Sequence, residues 1–240
     1  MATFETFSSG EAAAWATAIS TLLLAIVAVF QDKIRYWLTR PTLKLEIQPF
    51  PPDCMRTAFR QTVAIYDPTS GQPHERVIEF PCYYFRLRVT NAGNCEAREV
   101  EIFAKALKRH HEVKGEFEEV SRFTPMNLLW SNVRKPFLPI LSPQIPKHCD
   151  IAHVVHPSKR QAMQHVLPDV PKDQCVLILD LEVEPNSCGH LLGPGFYRLS
   201  LVLAAANSPP REYVLDIRIT GDWFEDDARM FGEAIRLRLR

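Results

Sequence analysis

The segment KHCDIAHVVH (residues 147–156) holds the densest group of potential metal-binding side chains in this sequence. Cys149, His153 and His156 carry thiol and imidazole groups, which zinc prefers as ligands. If the segment is a strand, its two-residue alternation places Cys149 and His153 on one face and His156 on the other. Cys149 and His153 are therefore the candidate metal ligands, and a zinc site would need further ligands from another part of the chain.

Motifs of known catalytic centres offer no second candidate. The sequence contains neither the G-x-S-x-G turn of serine hydrolases nor the H-E-x-x-H motif of zinc proteases. DPTSGQ (residues 67–72) reads as a loop, because it lacks the GK[ST] ending of a phosphate-binding loop. We expect no catalytic residues, no cofactor and no enzymatic activity. A triad assembled from scattered residues stays open, because triads follow no fixed order in sequence.

The composition favours a folded, β-rich domain. The 28 basic residues equal the 28 acidic ones, so the net charge gives no indication of nucleic-acid binding. Nineteen prolines against nine glycines, between short apolar stretches, are typical of strands joined by proline-containing connections. We therefore expect a mainly β protein without a nucleic-acid partner.

One N-terminal stretch is long and apolar enough for a membrane-spanning helix. Residues 12–30 contain no charged side chain and span roughly 28 Å as a helix, close to the thickness of a bilayer core. Residues 1–11 lack the basic start of a cleaved signal peptide. The sequence predicts an N-terminal tail at 1–11 and a transmembrane helix at 12–31, with a buried helix of a soluble protein as the alternative.

The flanking charges predict the orientation of this helix. Basic residues follow it at 32–41, whereas residues 1–11 contain no Lys or Arg, so the positive-inside rule puts the N-terminus outside and the rest of the chain in the cytoplasm. We expect a single-pass protein of the cell inner membrane with a basic juxtamembrane linker at 32–41. The residues expected at the membrane interface are Trp15, Lys33, Arg35, Tyr36, Trp37 and Arg40.

The six cysteines are spread singly along the chain, without paired spacing. In a domain large enough to need no covalent staples, this pattern favours reduced thiols in the cytoplasm. The even number leaves disulfide bonds in an extracytoplasmic domain open as the alternative.

Alternating apolar residues predict strands from residue 42 onwards. Phe85, Leu87 and Val89 share one face before the turn NAGN, and Val100 and Ile102 share one face after it. We expect these two segments to pair as an antiparallel hairpin with one buried face. The same alternation occurs at 42–47, 177–183, 197–203, 213–219 and 235–239. So many alternating strands favour an antiparallel two-sheet β-sandwich over residues 42–240.

The segment RVTNAGNCEAREVEI resembles the V-x-N-x-G-x-x-x-A-x-x-V hairpin of immunoglobulin-like adhesion modules of the CARDB type. Val89, Asn91, Gly93, Ala97 and Val100 occupy the motif positions. The whole chain also resembles uncharacterised bacterial single-pass membrane proteins with an N-terminal helix, a basic linker ending in RPTLKL and a late GFYRLSLVLAAAN strand. The resemblance implies a cytoplasmic immunoglobulin-like β-sandwich and carries no catalytic residues.

Residues 107–172 form a proline-rich insertion region. Proline cannot donate a hydrogen bond within a central ladder, so we predict edge strands and long connections here. Long insertions often carry binding surfaces, and Trp130 and Phe137 are candidate anchors for a protein partner. Packing in the core is the alternative for both rings.

The C-terminal segment GDWFEDDARMFGEAIRLRLR ends in a strand pattern. Arg236, Arg238 and Arg240 share one face of this strand, and Trp223 precedes it among acidic residues. Charged edge strands prevent edge-to-edge aggregation, which would explain the arginines without a further role. The alternative is contact with a partner or with anionic lipid headgroups, so these four residues join the candidate binding residues.

These observations favour a membrane-anchored, cytoplasm-facing β-sandwich that binds an unknown protein partner as a scaffold, sensor or accessory factor, without catalysis. The alternative is a membrane-tethered enzyme or metal-binding domain that uses His and Cys residues of the 148–156 region. A further alternative is an oligomerising membrane effector, because small residues permit close contact between helices. The small residues concerned are Ala12, Ala16, Ala18 and Ala25.

Overall fold

The computed structural model describes residues 9–38, 40–66, 73–131, 133–160 and 167–240. The chain divides into two compact units, Met1–Arg40 and Pro41–Arg240. The first unit contains the N-terminal helix and the second contains two antiparallel sheets. The loop predicted at 67–72 lies outside the described residues.

Helix α1 (Ser9–Leu38) includes Ala13–Gln31, a stretch long and apolar enough to cross a membrane, and every side chain of this stretch is exposed. The helix continues through most of the predicted linker at 32–41, because no proline interrupts it before Pro41. The hydroxyl groups inside the stretch donate hydrogen bonds of 2.8–2.9 Å to carbonyls one turn earlier. They belong to Thr17, Ser20 and Thr21.

The second unit is built mainly from strands. A short 3-10 helix spans Pro157–Lys159, and a single turn of α-helix, continued by a π-helical turn at Met230–Ala234, precedes the last strand. Helix α2 is Asp227–Arg229. The strands in the described residues are β1 (Leu43–Glu46), β2 (Cys54–Tyr66), β3 (Pro73–Asn91), β4 (Ala97–His111), β5 (Glu116–Glu119), β6 (Met126–Asn127), β7 (Leu129–Trp130), β8 (Phe137–Leu141), β9 (Lys147–Val155), β10 (Leu177–Leu179), β11 (Leu191–Leu192), β12 (Gly195–Ala205), β13 (Ser208–Ile219) and β14 (Ile235–Leu239).

Two sheets enclose a common apolar core. The first has the order β1-β3-β9-β10-β11, with β2 beside β3 and β7 beside β9. The second has the order β14-β13-β12-β4-β5, with β6 and β8 beside β4. Alternate side chains of the long strands point into the core between the sheets, among them Phe85, Leu87, Ile102, Leu199 and Ile217. The predicted β-sandwich after a single helix is therefore confirmed.

The two segments around NAGN do not pair with each other, so the predicted hairpin is wrong. β3 belongs to the first sheet and β4 to the second, and the turn crosses between them. The buried Asn91 holds this crossing: its Oδ1 accepts from the amides of Thr42 at 3.1 Å and Gly93 at 3.0 Å. Its Nδ2 donates to the carbonyls of Cys95 at 2.6 Å and Leu141 at 3.2 Å. β3 and β4 each bury one face in the same core. The alternation of apolar and polar residues is therefore the same whether the two strands pair in one sheet or lie in opposite sheets.

Strand β9 lies inside the first sheet, between β3 and β10, although its sequence falls in the region 107–172 that was expected to supply edge strands. The strand contains no proline, so each of its amides can join a ladder. Its residues are buried on both faces from Cys149 to Val155, which removes the alternation that marks a half-buried strand. The other strands of the region, β5 to β8, are short and have two to five residues each.

Candidate functional site

Cys149 and His153 lie on opposite faces of β9, so the alternation predicted for them is wrong. A β-bulge at Ile151 adds one residue opposite β3 and reverses the alternation. Cys149 therefore faces the core, where its thiol donates to the carbonyl of Leu129 at 3.3 Å. Among the described residues, no three His, Cys, Asp or Glu side chains are placed to share a metal ion.

His153 belongs to a polar cluster on the outer face of the first sheet. Its Nδ1 lies 3.2 Å from both carboxylate oxygens of Asp180. Its ring stacks between Phe59 and Tyr84, with a centroid distance of 5.3 Å to each. These contacts hold the imidazole in one orientation within the sheet.

Asp150 continues this cluster along β9. It accepts hydrogen bonds from Arg86 Nε at 3.1 Å and from Ser131 Oγ at 2.6 Å. Burial raises the pKa of Asp150, and the hydrogen bond from Ser131 opposes that rise. The Ser131 hydroxyl donates its hydrogen bond to a carboxylate and not to an imidazole. Ser131 and Asp150 therefore differ from the serine–histidine pair of acyl-transfer enzymes. Their evident effect is to link neighbouring strands.

The three aromatic candidates for partner binding differ in their exposure. Trp130 is 1% exposed and donates its Nε1 to a core carbonyl at 3.1 Å, so it is a core residue. Trp223 is half-buried; its ring lies 5.0 Å from that of Tyr83, and its Nε1 donates to Glu225 at 2.9 Å. Phe137, on β8, is 44% exposed and is accessible to a partner.

The three C-terminal arginines share a face of the second sheet, and two further arginines lie on it. Arg236 lies opposite Arg218, and Arg238 and Arg198 flank Asp216 from the two sides. Arg198 and Arg218 occupy outward positions of the alternating segments 197–203 and 213–219, so the alternation itself could have identified them. We call this surface the arginine face, and it consists of Arg198, Arg218, Arg236, Arg238 and Arg240.

One carboxylate lies within the arginine face. Asp216 is 6% exposed and accepts from Arg198 Nε at 3.0 Å and from Arg240 Nη2 at 2.6 Å. The other three arginines, Arg218, Arg236 and Arg238, form no ion pair with the described residues and are exposed. The face therefore presents an excess of positive charge to solvent.

Aromatic rings support two of these guanidinium groups. Arg198 lies 4.0 Å above the ring centre of Phe117, and Arg218 lies 4.7 Å above that of Phe196. The two rings meet edge to face with centroids 5.0 Å apart. Such contacts attract the cations and restrict their orientation.

A groove of about 980 Å³ adjoins the arginine face at the end of the sandwich, where the β4–β5 hairpin meets the loop after β11. We call it the end groove. Its volume is at the upper end of the roughly 300–1,000 Å³ typical of ligand-binding sites. Arg218 belongs to both surfaces, and the ring of Phe196 beneath it also lines the end groove. Arg109, Arg122 and Tyr197 line the end groove alone. Acidic side chains of the hairpin also line it: Glu112, Glu118 and Glu119.

Close packing and hydrogen bonds fix the walls of the end groove. Ser187 Oγ donates to the carbonyl of Arg122 at 2.7 Å. Gly189 packs so closely on the same peptide that a Cβ would lie 2.1 Å from its oxygen. Arg109 donates from Nη2 to the carbonyl of Pro194 at 3.2 Å. The end groove is therefore formed before any ligand binds.

None of the six cysteines is in a disulfide bond. Cys95 and Cys188 are half-buried, and the other four are buried. Burial raises the pKa of Cys54 and Cys175 to about 12 and raises that of Cys149 well above its usual value. The buried thiols are therefore poor nucleophiles at neutral pH.

One of the predicted interface residues lies near the start of the apolar stretch of α1, and the other five follow this stretch. Trp15 is exposed on the helix, and Arg40 is exposed just beyond its end. The remaining four belong to the last turns of the helix, and their side chains lie outside the described part of the structure: Lys33, Arg35, Tyr36 and Trp37. Their position at a membrane surface stays a prediction.

No protein-family model matches the chain, and no curated protein is similar to it in sequence. The helix, the arginine face and the end groove are the features of this chain that bear on its function.

Proposed function

We propose that this chain is a single-pass protein of the bacterial inner membrane whose cytoplasmic β-sandwich binds a protein partner through the end groove. It acts by binding, as a scaffold, sensor or accessory factor, and not by catalysis. The observation that carries the proposal is the preformed end groove, which combines basic, aromatic and apolar side chains.

Helix α1 supports the anchoring. Ala13–Gln31 contains no charged residue and is mostly apolar, and the hydroxyl groups within it are satisfied by its own carbonyls, as a lipid environment requires. Lys33, Arg35 and Arg40 follow the stretch, while residues 1–11 contain no Lys or Arg, which favours a cytoplasmic sandwich.

The composition of the end groove favours a protein ligand. Arginine contributes strongly to protein–protein binding when it lies in a preformed pocket. The exposed Arg122 lines this one, together with the half-buried ring of Phe196 and with Val113, which is 91% exposed at the hairpin tip. A partner segment can place an apolar side chain against Val113 and a carboxylate against Arg122.

The geometry of β9 argues for binding over the enzyme or metal alternative. Cys149 and His153 face opposite sides of the strand, and the Ser131 hydroxyl is held by Asp150. None of these four residues lines the end groove.

Site-specific photocrosslinking in cells tests the proposal. A photoreactive amino acid at Val113, on the rim of the end groove, should give one discrete protein adduct that mass spectrometry identifies. The same probe at Val183, another exposed valine that is 61% exposed and does not line the groove, is the matched control and should not give that adduct. Arg122→Glu combined with the Val113 probe should reduce the adduct. Identical adduct patterns from both positions would contradict the proposal.

A further inference from the structure

We infer that the arginine face binds the anionic phospholipid headgroups of the membrane that α1 enters. The inference rests on the proposed anchoring. Five arginines lie on the adjacent strands β12, β13 and β14 or directly after β14, and one buried carboxylate lies among them. The chain as a whole is neutral, so this positive charge is a local property of the face. A basic surface of this kind complements an anionic leaflet.

Three of the five arginines have guanidinium groups left to bind phosphate. Arg218, Arg236 and Arg238 form no ion pair with the described residues, whereas Asp216 occupies the other two. A guanidinium group matches two phosphate oxygens at once, which an ammonium group cannot do.

Two of these three are already ordered. Arg218 is held over the ring of Phe196, and Arg236 donates from Nε to the carbonyl of Gly232. Binding therefore loses less side-chain freedom than it would for unrestrained arginines.

The short connection to the helix favours a lipid ligand over a soluble polyanion. Residues 39–42 alone join α1 to β1, and they span at most roughly 18 Å when fully extended. Such a tether raises the effective concentration of headgroups around the sandwich. Each basic side chain near an anionic leaflet then strengthens binding by about fivefold.

Arginine modification by phenylglyoxal tests the inference on the full-length protein in lipid nanodiscs. One preparation contains phosphatidylcholine alone, and the other contains phosphatidylcholine and phosphatidylglycerol in equal parts. Mass spectrometry gives the modification rate of each arginine. We expect Arg218, Arg236 and Arg238 to react about fivefold more slowly in the anionic discs, and high salt to remove the difference.

Exposed arginines elsewhere on the sandwich serve as controls within the same molecule. The side chains of Arg60 and Arg98 are 71% and 64% exposed, and their rates should be equal in the two preparations. Arg236→Glu with Arg238→Glu should remove the protection of Arg218. Arg236→Lys with Arg238→Lys should retain it, because the charge is kept.

Equal rates for the arginine face in the two preparations would overturn the inference. So would equal protection by inorganic phosphate or by RNA added to neutral discs, since the ligand would then be a soluble anion. Recovery of the protein with the discs reports the anchoring separately. Protein that enters neither disc would overturn the anchoring and this inference with it, whereas protein that enters both without protection overturns this inference alone.

Discussion

Arg88 and Asp53 form a two-point ion pair on the outer face of the first sheet, although Asp53 is fully buried. Arg88 Nη2 lies 2.8 Å from Asp53 Oδ2, and Arg88 Nε lies 3.1 Å from Oδ1. The amide of Gln48 donates to Oδ2 at 2.9 Å, and His148 Nε2 lies 3.1 Å from Oδ1. The pair therefore fastens the segment before β2 onto β3.

Replacing the guanidinium group of this pair should destabilise the sandwich strongly. Arg88→Met leaves a buried carboxylate without its main counter-charge, and we expect a loss of about 3 kcal/mol in the free energy of unfolding. Arg60→Met is the matched control on the same sheet, because it breaks the exposed pair with Glu79 and should cost less than about 1 kcal/mol. Urea unfolding in detergent measures both variants. Equal losses would contradict the assignment of Arg88 as the counter-charge of a buried group.

Asn91 and Asn207 both form side-chain hydrogen bonds with backbone groups, and we expect Asn91 to contribute more to the stability of the sandwich. Asn91→Ala removes hydrogen bonds to four backbone groups at a buried crossing, so we expect a loss of about 2–4 kcal/mol. Asn207→Ala removes two such bonds at a partly exposed turn and should cost about 1 kcal/mol or less. Thermal unfolding of the two variants compares them, and a smaller effect at Asn91 would contradict its role in joining the sheets.

His190 should limit the stability of the sandwich at acid pH. It is 4% exposed, and neither ring nitrogen has a hydrogen-bond partner among the described residues. Burial lowers the pKa of His190 below its usual value of 6.5. Below about pH 6.5, His190 takes up a proton in the unfolded chain but stays neutral in the folded chain until the pH falls further. The free energy of unfolding therefore decreases as the pH decreases.

Replacement of His190 by leucine tests this account. We expect His190→Leu to raise the free energy of unfolding by about 1–2 kcal/mol at pH 7.5, because two buried polar atoms without partners are removed. The advantage over the unmodified protein should grow between about pH 7 and pH 5. His190→Gln keeps a polar group and is the control, and it should not stabilise. A leucine variant whose advantage stays constant with pH would contradict the titration argument.

The zinc content of the protein should not depend on Cys149 or His153, the two candidate metal ligands predicted from the sequence. Elemental analysis of the purified full-length protein should give the same zinc content before and after Cys149→Ala or His153→Ala, because the two side chains face opposite sides of β9. Stoichiometric zinc that either substitution removes would contradict this geometry and restore the metal-binding alternative.

The long strands of the second sheet and its last strand were predictable because one of their faces is solvated. Tyr197, Leu199 and Leu201 alternate with polar or smaller residues, and the last strand alternates arginine with isoleucine and leucine. The helix was predictable from its uniform apolar surface. The strands show the contrast between a buried and a solvated face as alternation, whereas the helix shows a long stretch without charge.

The errors arose where that contrast is missing or ambiguous. β9 is buried on both faces, so no alternation marks it, and the bulge at Ile151 has no sequence signal that separates it from a regular strand. The alternation around Asn91 fits a hairpin as well as a crossing, because strands of opposite sheets and paired strands bury the same kind of face. The end groove brings together residues distant in sequence, such as Arg109 and Arg218, which only the fold could reveal.

The proposed function requires the sandwich to lie in the cytoplasm and the N-terminus to lie outside. Cysteine labelling of the full-length protein in bacterial cells tests this orientation most directly. In a background of Cys95→Ser and Cys188→Ser, the buried thiols are shielded by the fold, and two exposed reporters are added separately at Gly10→Cys and Val113→Cys. A membrane-impermeant maleimide should label the Gly10→Cys protein in intact cells and the Val113→Cys protein only after lysis. Labelling of the Val113→Cys protein in intact cells would place the sandwich outside the cytoplasm and contradict the account.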